Sequence, residues 1–78
     1  MIQWFMTRTS AQLILKGQGG MAEPAHALVT PPIRGTNGVA CGGRPAFNRF
    51  EDCAAPVGAR HCQLCQSRLR DLDVPIPL

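Results

Sequence analysis

The chain has no tyrosine, one tryptophan and three phenylalanines among its 78 residues. Aromatic stacking on nucleic-acid bases would therefore have to come from Phe47 and Phe50. No apolar run approaches the roughly 18 residues that a membrane-spanning helix needs. A secretory leader also reads poorly, because residues 1–6 carry no basic start and Arg8 and Gln12 break the apolar stretch. Charge of one sign is scarce as well. Eight Lys and Arg face five acids, and from Met21 onward six Arg face five acids, a net of +1. A nucleic-acid binder is expected to show a dense basic face. No Ser/His/Asp set and no paired carboxylates stand in a catalytic spacing, so catalysis is not expected.

Size is also short. One small domain is the limit, and such a domain buries too little surface to be comfortably stable. Small chains offset the ordering entropy with disulfides, a metal or a partner. What is present fits that need: four cysteines, two histidines, eight glycines and seven prolines. The expected compartment is cytoplasmic and reducing, where cysteine clusters bind metal more often than they form disulfides.

Residues 1–20 differ from the rest. Thr9 to Lys16 can form two helical turns, stopped by Gly17-Gln18-Gly19-Gly20, and the segment as a whole is expected to be a poorly ordered extension. Gln18-Gly19-Gly20 before Met21 also fits a translated ribosome-binding sequence, with Met21 as the true start. Residues 21–78 then form the metal module. Ala25 to Val29 reads as a strand, interrupted by Thr30-Pro31-Pro32 because proline lacks the ladder donor. Ile33-Arg34 resumes it, Asn37-Gly38 signals a hairpin turn, and Val39 to Cys41 returns. Residues 44–60 show no period; Phe47 and Phe50 are expected to anchor this loop on the core. The last element is a helix in which Cys62, Cys65, Leu69 and Leu72 fall on one apolar stripe, ended before Pro75. Val74 to Leu78 form an extended apolar tail.

Cys62-Gln63-Leu64-Cys65 at a helix start is half of a zinc site, since two sulfurs one turn apart can hold one ion. Cys41 is the best upstream candidate, because the following Gly42-Gly43 lets backbone N–H groups turn toward sulfur. The fourth ligand is either His26, which a hairpin places opposite or diagonal to Cys41, or Cys53, which gives the spacing C-x11-C-x8-C-x2-C. His61, beside Cys62, suits a supporting or solvated position. The alternative is a disulfide or free-thiol protein. A redox Cys-x-x-Cys reading lacks the βαβ scaffold that thioredoxin chemistry uses.

The order His26-Ala27, Cys41-Gly42 and Cys62-x-x-Cys65 on an Arg- and Leu-containing helix resembles small zinc-finger-like proteins of actinobacteria and their phages, over residues 25–72. The resemblance implies a structural-zinc module. Gln63-Leu64 stand where that pattern often has proline, and Cys53 is extra to it. The expected fold is a small zinc-stapled α+β domain, a β-hairpin followed by a loop and a C-terminal helix, similar to a treble clef. Its expected role is binding a protein or a nucleic acid, with Arg60, Arg68 and Arg70 as phosphate contacts in the second case. Arg44 and Arg49 fit a solvated face.

Overall fold

A computed structural model describes residues 1–32, 37–42 and 45–71. Among them the fold is α+β: a three-stranded antiparallel sheet with a C-terminal helix. The elements are β1 (Ile2–Thr7), α1 (Arg8–Leu15), a short 3-10 turn (Gly19–Met21), β2 (His26–Val29), β3 (Asp52–Ala54) and α2 (Gln63–Asp71). No helix among the described residues is long and apolar enough to cross a membrane.

The first twenty residues are the main correction. They are not a loose extension: β1 is the central strand, in the order β2-β1-β3. It pairs Phe5 with His26 and Gln3 with Leu28 on one side, and Met6 with Cys53 on the other. Phe5 and Met6 are fully buried. An apolar run of Trp4, Phe5 and Met6 fits a strand covered on both faces, and here each face carries its own core cluster. Phe5 packs with Ala27, Val39, Ala40, Cys41, Cys65 and Leu69. Met6 packs with Ala11 and Ala25.

The short helix forms where expected. Thr7 caps α1 by accepting from the Ser10 N–H at 3.2 Å, as N-cap threonines do. At its end Gln18 N–H donates to Leu13 O and Gly17 N–H to Ile14 O. That pair of bonds is a Schellman motif, which requires a left-handed residue; Gly17 supplies it at φ 79°. Ser10 is buried, and its hydroxyl accepts from Glu23 N–H. The Glu23 carboxylate in turn accepts from Thr7 N–H at 3.0 Å.

The expected hairpin survives only in part. β2 ends at Val29, before the cis Thr30–Pro31 bond. Its return arm is a single bridge, Leu28 to Val39, and the ladder partner along β2 is β1 instead. Gly38, at φ 99°, lies under Leu28, where a Cβ would come within 3.3 Å of the leucine Cδ1. Ile33, Arg34, Gly43, Arg44, Leu72, the 74–78 tail and the first half of the expected turn lie outside the described residues.

The loop into β3 is fixed by a reciprocal turn. Asn48 N–H donates to the buried Asp52 carboxylate at 2.9 Å, and Asp52 N–H returns to Asn48 O at 2.7 Å. Phe47 meets Phe5 edge to face at 5.3 Å. Phe50 does not reach the core, contrary to expectation. The Asn48 side chain takes the Phe50 N–H and holds the ring outward, 78% exposed, with the Arg49 guanidinium 5.3 Å above it.

Candidate metal centre

The centre sits on the outer edge of β2, and the backbone bonds of that edge explain why. Alternate residues Ala25, Ala27 and Val29 direct their N–H and C=O groups away from β1. At one end Val29 N–H donates to Gly38 O and Ala40 N–H to Ala27 O. At the other end Ala25 N–H donates to Arg60 O, and Cys62 N–H donates to Ala25 O at 2.8 Å. Two chain segments thus dock on one edge with a gap between them. The amide left in the gap, Ala27 N–H, points to Cys65 Sγ at 3.4 Å. Buried backbone donors need partners, and here the partner is a cysteine sulfur.

That docking brings four side chains together. The Leu28–Val39 bridge, extended by two residues, sets His26 opposite Cys41, which answers the register question left open by the sequence. The Cys62 carbonyl accepts the first helical bond of α2, from Gln66 N–H at 3.1 Å, so Cys62 occupies the N-cap position and Cys65 lies one turn on. The ligand atoms of His26, Cys41, Cys62 and Cys65 all lie within 4.8 Å of one another. His26 Nδ1 is 3.6 Å from Cys41 Sγ and 3.9 Å from Cys65 Sγ. A tetrahedral zinc ion with ordinary bond lengths separates a sulfur and a nitrogen ligand by about 3.6 Å, and two sulfurs by about 3.8 Å. The cluster therefore has the dimensions of a metal site.

Cys53 is placed elsewhere. It lies on β3, opposite Met6 and on the far side of β1 from β2, packed against the Met6 cluster. It is not in the four-residue group. All four cysteines are free thiols.

Burial grades the four residues. Cys65 is fully buried and Cys41 is 8% exposed, whereas His26 and Cys62 are half-buried. Burial pushes the Cys65 thiol from 9.0 up to about 12. Backbone N–H groups of Ala27 and Cys41 pull it back, and the adjacent Cys41 side chain adds to the rise. A bound cation reverses that balance, since a coordinating thiol is deprotonated outright.

Leu69 continues the stripe of Cys65 into the core and is fully buried. His26 lies over its β1 partner Phe5, ring centroids 6.4 Å apart. His61 is not a ligand in this arrangement. It stacks on Trp4 at 3.9 Å with 7° between the rings, and its backbone bridges Ala25 in parallel. This contact fixes the residue before Cys62 to the central strand. Sequence reading missed it because Trp4 and His61 stand 57 positions apart. Arg60 anchors the same approach, its Nη2 donating to Ala22 O at 2.7 Å. Arg68 and Arg70 are exposed on α2.

The His26, Cys41, Cys62 and Cys65 group could thus hold a metal ion, with donors of the kind zinc prefers. No family model, curated protein or solved structure matches the chain, so this geometry carries the functional reading by itself.

Proposed function

We propose that the chain is a structural-zinc module that presents a binding surface to a protein partner. The observation that carries the zinc reading is the convergence of three sulfurs and one imidazole nitrogen within 4.8 Å. Three thiolates and an imidazole suit zinc among the common divalent ions. Four protein ligands close the tetrahedron and leave no position for substrate, which favours a structural over a catalytic ion.

Energetics point the same way. Structural zinc contributes about 10–16 kcal/mol of apparent folding free energy in small domains. Here the ion would join β2, the Val39–Cys41 arm and α2, which otherwise meet through the Phe5 core cluster and a few backbone bonds. Metal binding and folding are then coupled. Stoichiometric zinc in the reduced, purified protein, with a large fall in the denaturation midpoint on chelation, is the expected result; a reduced protein equally stable without metal contradicts it.

A formal net charge of +3 over the 78 residues falls short of the dense basic face expected of a nucleic-acid binder and favours a protein partner in a regulatory setting. The exposed pair Arg68 and Arg70 supports the second reading, phosphate contact. A salt series on random-sequence DNA separates the two, because counterion release makes phosphate binding fall steeply with salt.

A further inference from the structure

We infer that the zinc centre is an oxidant-responsive switch entered at Cys62, an inference that rests on the zinc reading above. Of the three sulfur ligands, Cys41 and Cys65 are closed off by the core, and Cys62 alone is half-buried. A cavity of about 450 Å³ lined by Pro24, Arg60, His61, Cys62, Gln63 and Gln66 opens beside it. The residues around that cavity are held in place: Arg60 by Ala22 O, His61 by the Trp4 stack, and the Gln66 amide by His61 O at 3.4 Å. A small oxidant therefore has an approach to one candidate ligand sulfur and not to the others.

The oxidant class is a hydroperoxide, with hydrogen peroxide the simplest. The Cys62 thiolate attacks one peroxide oxygen. The O–O bond breaks, hydroxide leaves, and the sulfur is oxidised to a sulfenic acid. The Cys65 thiolate, one helical turn away, then attacks Cys62 Sγ. The S–O bond breaks, a second hydroxide leaves and the S–S bond forms. Two electrons pass from the sulfurs to peroxide, and two solvent protons convert the hydroxides to water. His26 and Cys41 are left as two ligands, too few to retain the ion, and Zn²⁺ departs. The β2 edge then loses its staple to α2.

The test uses the full chain carrying Cys53→Ser, a residue outside the cluster, loaded with zinc and titrated with hydrogen peroxide. Zinc release is read with a chromogenic chelator, and the sulfur chemistry by peptide mapping with a sulfenic-acid trap. The expected result is one zinc released per Cys62–Cys65 disulfide, with the trap on Cys62 and not on Cys41 or Cys65. Zinc retained under excess peroxide, or first oxidation at Cys41 or Cys65, overturns the switch while leaving the structural-zinc reading intact. Failure of the reduced protein to take up zinc before any peroxide is added overturns both.

Discussion

The Ala27 amide donates to the Cys65 sulfur across 3.4 Å, so the edge of a β-strand and the candidate metal centre are one piece of structure. Between the Val39 bridge and the His61 bridge, the β2 edge has one donor with no backbone partner, and the sulfur takes it. The metal would complete a sheet edge as well as join a loop to a helix. Several expectations follow from that arrangement and from the strand beneath it.

Phe5 stands at the base of the site, on the central strand and opposite His26. Phe5→Ala removes a fully buried ring and is expected to destabilise the zinc-loaded protein by about 3–5 kcal/mol. Denaturant unfolding followed by far-UV circular dichroism measures it. A chain restricted to residues 21–78 lacks the strand that β2 and β3 share, and it is expected not to fold with or without zinc.

The Trp4–His61 stack should be separable from metal binding. His61→Ala is expected to leave zinc stoichiometry unchanged and to cost about 0.5–1.5 kcal/mol beyond the area lost. Trp4 is the only tryptophan, so its emission reports the change directly. Loss of zinc in this variant would instead show that the stack is needed to hold Cys62 in the cluster.

Alkaline pH should act on the zinc-free protein. Burial pushes the folded Cys65 thiol from the ordinary 9.0 up to about 12. Its ionised form is disfavoured by burial, so the folded state binds the proton more tightly than the unfolded state. The stabilisation is fully present below pH 9 and is lost as the pH rises toward 12. Denaturation midpoints in chelator and reductant are expected to fall across that window. The zinc-loaded protein, whose thiolate is already formed, should show no such fall there.

Much of the site was legible in the sequence because its signals are local. Cys62-x-x-Cys65 on a helix stripe with Leu69, and Cys41 followed by a glycine at φ 67°, need only neighbouring residues to be recognised. His26 against Cys53 was not decidable in the same way, because the answer depends on which strands flank β1. The sheet itself was hidden for a related reason. Residues 2–7 show no clean alternation, since both faces are covered, and their partners lie about twenty and fifty positions away. Asp52–Ala54 has little intrinsic preference for a strand and is one only through pairing with β1. Phe50 misled because aromatic character suggests burial, while the Asn48 turn directs its backbone outward.

The central claim is that His26, with Cys41, Cys62 and Cys65, holds the zinc, and that Cys53 does not. The most direct measurement is bound zinc per chain in wild type, His26→Ala and Cys53→Ser, each reduced and challenged with the same chelator. One zinc is expected in wild type and in Cys53→Ser, and its loss in His26→Ala. Zinc retained by His26→Ala and lost by Cys53→Ser would contradict it.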